Sequence, residues 1–152
     1  MEFQTIFNAP FGPIRLHADK YGLQQIELFP IPLNVTNRSS AILQQLGQQL
    51  TVYFSNAQIQ WDISLPTKGT AFQQKVWRYM QAIPVGEARS YGEVANTLNS
   101  SAQAVGNACR ANPFPIVIPC HRIVSKSGLG GFAGQAEGNN ISVKQWLLDH
   151  ER

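Results

Sequence analysis

Hydrophobic and polar positions alternate along the first third of the chain and fall at helical spacing along most of the rest. Phe3, Thr5 and Phe7 alternate, and a turn-rich stretch follows with Pro10, Gly12 and Pro13. Ile14, Leu16 and Ala18 alternate next, Asp19 to Gly22 supplies a second turn, and Ile26 and Leu28 continue the pattern up to Pro30. Period-two alternation broken by turn residues predicts strands with one buried face, here a three-stranded antiparallel meander. Pro30 to Asn37 predicts a loop. Ile42, Leu43, Leu46, Leu50, Tyr53 and Phe54 return at helical intervals and predict an amphipathic helix over about 39–54. Gln58 to Leu65 alternates again, with Ile59, Trp61, Ile63 and Leu65 on one face, and predicts a fourth strand.

After a loop-like boundary at Pro66–Gly69 the pattern becomes helical, with four helix-start signals. Thr70 with Gln73, Ser90 with Glu93, Ser100 with Gln103 and Ser142 with Gln145 all have capping-box spacing. In that box the two side chains satisfy helix-end amides that otherwise lack partners. The first opens a stripe of Phe72, Val76, Trp77, Met80 and Ile83 that stops at Pro84. The second opens a short helix to about Leu98, the third a helix that ends before Pro113, and the fourth a helix with Val143, Trp146 and Leu147 on one side. The expected fold class is α+β. A small N-terminal antiparallel-sheet-plus-helix domain spans residues 1–66, and a mostly helical C-terminal domain with a helix-turn-helix spans 67–152.

That helix-turn-helix is the middle pair of helices, joined by a tight Asn99–Ser100 turn. Its second helix carries Ala102, Ala104, Gly106, Ala108 and Ala111. Side chains this small let a helix lie close to another surface, either a neighbouring helix or nucleic acid. Charge leans weakly toward nucleic acid: residues 1–66 carry a net −1 and residues 67–152 a net +4. A polyanion partner selects such an asymmetry, although a few charges per half also scatter this way by chance.

Composition bounds the remaining classes. With 152 residues, 43% hydrophobic and 14% charged, the chain suits one ordinary domain or two small ones and is not disordered. The N-terminus lacks the basic run and apolar core of a signal peptide, and no apolar run approaches the roughly 20 residues of a membrane helix. A reducing, cytoplasmic location is expected, and it argues against a structural disulfide between Cys109 and Cys120. Cys109, Cys120 and His121 lack the paired short spacings of a zinc site, and His17 and His150 stand apart, so no metal is expected.

The chemistry concentrates in Ile116 to Val124, where an apolar run leads through Pro119 into Cys120, His121 and Arg122 and then turns apolar again. A cysteine among apolar residues is ordinarily an inert core residue. Two adjacent charge-capable groups argue otherwise, because they cost free energy to bury without partners, and a nearby base or cation activates a thiol. Cys109 lacks this setting and fits a small apolar filler. Taken alone, the Cys–His pair also suits a thiol hydrolase.

Pro119-Cys120-His121-Arg122-Ile123 resembles the PCHRV signature of alkylguanine-DNA alkyltransferases, with Ile in place of Val. Gly69 to Gln73 with Val76-Trp77, Ile83-Pro84 with Gly86, and Ser90-Tyr91-Gly92 resemble that family in order and spacing. So do Ala104-Val105-Gly106 with Asn112-Pro113, and Trp146-Leu147-Leu148 with Glu151. The likeness is detailed over residues 69–152, whereas the first 66 match in length and general pattern.

The resemblance implies DNA repair by direct reversal of damage. An alkyl group would pass irreversibly from the O6 position of guanine in double-stranded DNA to Cys120, in a monomer that needs no cofactor and no protein partner. The helix-turn-helix would enter the minor groove, and the damaged guanine would swing out into a pocket beside Cys120. His121 would contact the thiol through a water and be oriented by Glu151. Tyr91 would polarise the leaving guanine at N3 and crowd the DNA backbone into rotating. Asn112 would brace the turn between the recognition helix and the active-site loop. Gln103, Ala104, Gly106 and Arg110 would join Tyr91 on the DNA, with Arg110 at a phosphate. Tyr91, Pro115, Phe132 and Ala133 would line the alkyl and guanine pocket. Arg122 is expected in an internal salt bridge. A thioether does not hydrolyse, so this cysteine S-methyltransferase would act once per molecule.

The chain departs from the family at Gln103, where an arginine is usual, and the capping box with Ser100 competes for the Gln103 side chain. Gly128 to Gly134 resembles the glycine-rich lid over the pocket but is one residue shorter than in some relatives, with Phe132 for a frequent tyrosine and Ala133 where serine is common. Ala136 to Asn140 reads as extra loop, and the N-terminal part lacks the zinc-ligand set of some members. Three other readings compete. One is a non-reactive damage sensor of the same fold, against which Cys120 itself argues. The others are a thiol hydrolase on another fold and a helix-turn-helix DNA binder with a structural cysteine.

Overall fold

The computed structural model describes residues 2–30, 37–131 and 139–152, with the backbone alone at Asn139. Phe132, Ala133 and loop residues 136–138 lie outside the described residues. The chain divides into two compact units, Met1–Pro66 and Thr67–Arg152.

In the first unit β1 (Glu2–Ala9), β2 (Gly12–Asp19) and β3 (Gly22–Leu28) form an antiparallel sheet with β2 in the centre. The alternation along β2 puts Ile14, Leu16 and Ala18 on one face, each no more than 2% exposed. Helix α1 (Ala41–Ser55) closes that core with Leu43, Leu46, Leu50 and Tyr53, all on one stripe of the helix. Each fully buried aliphatic side chain contributes about 1.5–3 kcal/mol. Arg38 exchanges two backbone hydrogen bonds of 2.9 Å with Gln4 and so covers part of the open edge of β1.

The fourth strand expected over Gln58 to Leu65 does not form. The segment runs past α1 without a ladder, and glutamine side chains take the place of one. Gln45 and Gln49 donate to the Asp62 carbonyl at 2.7 and 2.6 Å, and Asp62 N–H donates to Gln49 Oε1 at 2.9 Å. Trp61 packs on Tyr53 with ring centroids 5.6 Å apart. Alternation records that one side of a segment is apolar, and a helix face can meet that demand as well as a sheet can.

The second unit contains α2 (Ala71–Gln81), α3 (Tyr91–Thr97), α4 (Ala102–Arg110) and α5 (Asn139–His150). The Thr70–Gln73 capping box opens α2 with both reciprocal bonds, at 3.1 and 2.8 Å. Ser90 accepts from Glu93 N–H at 3.1 Å and caps α3. Trp77 Nε1 donates to the Ala108 carbonyl at 2.9 Å and ties α2 to α4.

Two helix starts differ from expectation. The cap of α4 is Ser101, which accepts from Ala104 N–H at 3.1 Å, and not Ser100. Ser100 is used in closing α3. Asn99 adopts a left-handed φ of 52°, Ser100 N–H bonds to the Ala95 carbonyl at 2.9 Å, and Asn99 N–H bonds to Asn96 at 3.4 Å. This is the double closure that ends helices at a left-handed residue. Gln103 therefore takes no part in a capping box. Helix α5 starts at Asn139, three residues ahead of the expected Ser142. A Ser and a Gln three apart also lie together on one face of a helix already under way.

One pairing had no signal in the pattern. Strand β4 (Arg89–Ser90) runs parallel to β5 (Ile123–Val124), with Ser90 opposite Val124. Two-residue strands are too short to show a period. Their effect is to bind the start of α3, where Tyr91 sits, to the segment that follows Cys120.

Candidate active site

The loop from Ala111 to Pro119 carries the chain from α4 to the thiol and stores backbone strain on the way. Ile116 has φ +80°, a conformation a β-branched residue avoids at a cost of about 1–3 kcal/mol. Asn112 and the loop backbone hold it there. Phe114 N–H donates to Asn112 Oδ1 at 2.9 Å, Asn112 Nδ2 donates to the Ile118 carbonyl at 2.8 Å, and Ile118 N–H returns to the Phe114 carbonyl at 2.8 Å. Pro115 is buried in this loop and bridges to Ile118.

Cys120 begins a single 3₁₀ turn, Cys120–Arg122, and is 3% exposed. Asn112 Nδ2 also donates to Cys120 Sγ at 3.2 Å. Burial pushes the thiol up to about 11, while the Asn112 bond and the Lys144 charge pull it back. The resting group is thus a neutral thiol, and a base must take its proton before or during attack.

The next residue, His121, is paired with Glu151. His121 is fully buried, and its Nε2 lies 2.7 Å from Glu151 Oε2. A carboxylate can only accept, so Nε2 carries the hydrogen and Nδ1 holds a lone pair. Nδ1 has no hydrogen-bond partner among the described residues. Burial lowers the imidazole below its usual range, partly countered by Glu151 and reinforced by Arg122 and Lys144. Glu151 also accepts from Arg122 Nε at 2.8 Å and Nη2 at 3.0 Å, and Arg122 Nη1 donates to the Ile83 carbonyl at 2.8 Å. Arg122 lies inside the protein, as expected.

Tyr91 stands between two glycines. A Cβ on Gly130 would lie 2.8 Å from its ring, and one on Gly106 of α4 would lie 3.9 Å from it. Its hydroxyl donates to the Gly131 carbonyl at 3.4 Å. Burial, then the neighbouring Cys109 and Cys120, push it up to about 12. The outer face of α4 leaves Gln103, Asn107 and Arg110 exposed and Ala104 and Gly106 half-buried, while Val105 and Ala108 face the core.

The sequence reading missed Lys144. This lysine is fully buried on α5, and its Nζ donates to the Ile123 carbonyl at 2.7 Å and the Gly131 carbonyl at 2.9 Å. Desolvation brings it down to about 8, against the pull of Cys120 and Cys109. Spacing held a clue. Lys144, Leu147 and Glu151 fall on one helical face, so two ionisable groups flank an apolar one on the side that must be buried.

One centre therefore gathers Cys120, His121, Asn112 and Glu151, with Tyr91 and Lys144 on its glycine wall. Among the described residues no cluster of His, Cys, Asp and Glu could hold a metal ion.

Comparison with known proteins bears on what such a centre does. Residues 71–152 match the family model described as 6-O-methylguanine DNA methyltransferase, DNA binding domain. A methylated-DNA–protein-cysteine methyltransferase from Methanosarcina acetivorans is 32% identical over 98% of this chain and 97% of its own length. The crystal structure of an O6-methylguanine methyltransferase from Mycobacterium tuberculosis superposes with TM-score 0.82 at 32% identity, over 99% of this chain and 93% of that one. The Mycobacterium tuberculosis OGT protein in complex with DNA superposes with TM-score 0.79 at 32% identity, over 98% and 92% of the two chains.

Proposed function

The chain belongs to the methylated-DNA–protein-cysteine methyltransferase family, and on that premise we propose how its own residues carry out the repair. It reverses alkylation damage in double-stranded DNA by moving the alkyl group from guanine O6 to Cys120. The supporting observation is the buried thiol of Cys120, bonded to Asn112 and adjacent in sequence to a His121–Glu151–Arg122 chain.

Cys120 Sγ attacks the alkyl carbon on O6. The C–O bond breaks with its electron pair going to the guanine, and a C–S bond forms. The thiol proton passes through a bridging water to the lone pair on His121 Nδ1, while Glu151 accepts the Nε2 hydrogen bond and holds the ring in that tautomer. The Asn112 amide stabilises sulfur as it gains charge. Tyr91, kept protonated by its surroundings, donates toward N3 of the departing guanine. A thioether has no labile acyl bond, so the thiol is not regenerated and each molecule acts once.

DNA lies along α4, with Gln103, Ala104 and Gly106 in the minor groove, Arg110 at a phosphate and Tyr91 at the extruded base. The small or half-buried positions on that face suit a narrow groove. Pro115 and Tyr91 line the alkyl and guanine pocket; Phe132 and Ala133, expected there from the resemblance, lie outside the described residues. The protein acts as a monomer in the reducing cytoplasm, where both cysteines are free thiols. Among the described residues no helix is long and apolar enough to cross a membrane.

The deciding experiment mixes the protein with a duplex carrying one O6-methylguanine and reads intact and peptide masses. The expected result is a gain of one methyl group, on the Cys120 peptide alone, saturating at one per molecule. Repeated turnover, or methylation elsewhere, would refute the assignment.

A further inference from the structure

The centre contains two charges beyond those a thiol–imidazole–carboxylate relay uses, Lys144 and Arg122, and Arg122 is the one bonded to Glu151. Its guanidinium is almost wholly buried and all its contacts are fixed. Nε and Nη2 take both oxygens of Glu151 at 2.8 and 3.0 Å, and Nη1 is anchored on the Ile83 carbonyl at 2.8 Å. Glu151 Oε2 is shared between Arg122 Nη2 and His121 Nε2.

We propose that Arg122 is a positioning residue that sets the protonation state of the base: by neutralising Glu151, it keeps His121 a neutral imidazole with Nδ1 free to accept the Cys120 proton. This inference rests on the assignment of His121 as proton acceptor made above.

Two buried ionic arrangements compete at this site. With Arg122 in place, the carboxylate charge is matched by a fork that makes two charge-assisted bonds, and His121 needs only to donate one hydrogen. A second buried positive charge on the imidazole would then lack a counter-ion and cost desolvation. Without Arg122, Glu151 is a buried carboxylate that still bonds to His121 Nε2 at 2.7 Å. The cheapest way to neutralise it is to protonate the ring, and an imidazolium has no lone pair at Nδ1. Charges reach His121 from Lys144 on α5, from Glu151 just past its end and from Arg122 on His121's own turn. Helix α2 also packs on that turn, and the side chains it buries are Val76, Trp77 and Met80. Lys144 opposes protonation as Arg122 does, but it hydrogen-bonds to carbonyls and leaves Glu151 untouched.

The sign of the pH dependence follows. Protonated His121 cannot accept the thiol proton, so transfer fails as pH falls through the imidazole pKa. Arg122 keeps that pKa low, and activity extends into mild acid. Replacing Arg122 by Met removes the charge while keeping an unbranched apolar stem. The acid limb of the single-turnover rate should then move up by about one to three pH units, so the loss is much larger at pH 6 than at pH 8.5. Arg122→Lys keeps the charge without the fork and should fall between.

The test measures single-turnover transfer from O6-methylguanine duplex for the wild type, Arg122→Met and Arg122→Lys across pH 5.5–9. A purely structural arginine predicts an equal loss at every pH, and that parallel profile would overturn the proposal. Ring-nitrogen NMR of the free protein gives an answer that does not depend on transfer. The chain has three histidines, so His121 is assignable by its loss in His121→Gln. Wild-type His121 should stay neutral with hydrogen on Nε2 below pH 6.5, and in folded Arg122→Lys it should protonate at higher pH. Unchanged titration, or a wild-type imidazolium at pH 7, refutes the role of Arg122. If wild-type protein transfers no methyl group, the repair assignment fails separately.

Discussion

Asn112 Nδ2 lies 2.8 Å from the Ile118 carbonyl and 3.2 Å from Cys120 Sγ, so one amide group both braces the strained loop and donates to the Cys120 sulfur. Its Oδ1 completes the brace through Phe114 N–H. Asn112→Ala should therefore do two things at once. Loss of a hydrogen bond to a developing thiolate should slow transfer about tenfold to a hundredfold, and the freed loop groups should lower stability by about 1–3 kcal/mol. Stopped-flow transfer and thermal unfolding measure the two separately. A variant that is less stable but transfers at the wild-type rate would show that Asn112 is a brace alone.

Cys120 sits well above the ordinary thiol range because burial disfavours its charge, at about 11. A group whose folded pKa is raised adds stability that is complete below the unfolded pKa and disappears as pH rises through the folded one. Between about pH 9 and 11 the wild type should lose stability as the unfolded chain, but not the folded one, sheds this proton. Cys120→Ala removes that component, and its melting temperature should fall less steeply over the same range. Parallel curves for the two proteins would mean that the thiol is not held neutral by the fold.

Much of this was legible in the sequence, and the gaps share a cause. The meander, α1 and the Thr70 box follow from alternation, from three-and-four spacing and from a local pair of side chains, all short-range signals. Cys120 and His121 are visible because polar chemistry interrupts an apolar run. The signals that failed depend on what packs against a segment. Gln58 to Leu65 alternates like a strand, yet its partners are Gln45 and Gln49 on a helix. Ser100 looks like a cap until Asn99 turns left-handed and takes Ser100 into closing α3. Lys144 shares a helical face with Leu147 and Glu151, but the two carbonyls that make its burial tolerable are distant in sequence.

Lys144 gives a pH-dependent prediction of its own. Its charge pulls Cys120 down, and its own proton is held to about pH 8. Lys144→Met should slow transfer about tenfold or more at pH 7, the usual effect of removing a nearby opposite charge. Above pH 8 the wild-type lysine sheds its charge and the two rates should converge. A rate ratio that stays constant from pH 6.5 to 9.5 would assign Lys144 to loop anchoring without an electrostatic part.

Gly130 and Gly128 form a matched pair in one loop. Gly130 has φ +74°, and a Cβ there would lie 2.8 Å from the Tyr91 ring and 3.3 Å from Ser125 N, so Gly130→Ala must displace the tyrosine or the loop. Gly128 has nothing within 4 Å of an added Cβ. Gly130→Ala should cost more than about 1 kcal/mol of stability and depress transfer strongly, whereas Gly128→Ala should be neutral or stabilise by up to about 1 kcal/mol. Equal effects on transfer would mean that loop flexibility, and not the seat of Tyr91, is what the glycines supply.

The Ser101 cap changes what is expected of Gln103. Because Ser101 closes the start of α4 through Ala104 N–H, the Gln103 side chain is left exposed on the face assigned to DNA, with no helix-capping duty to compete. It can fill part of the space left by an extruded guanine, but it brings no charge and no planar cation to stack. Gln103→Arg should therefore tighten binding to alkylated duplex by about tenfold at low salt and steepen the dependence of log affinity on log salt by about one. Fold stability should change little, because the cap is untouched. Binding titrations of both forms at several salt concentrations decide it. Equal affinities would mean that the position does not enter the base stack, and that the seat of α4 on the duplex differs from the one proposed.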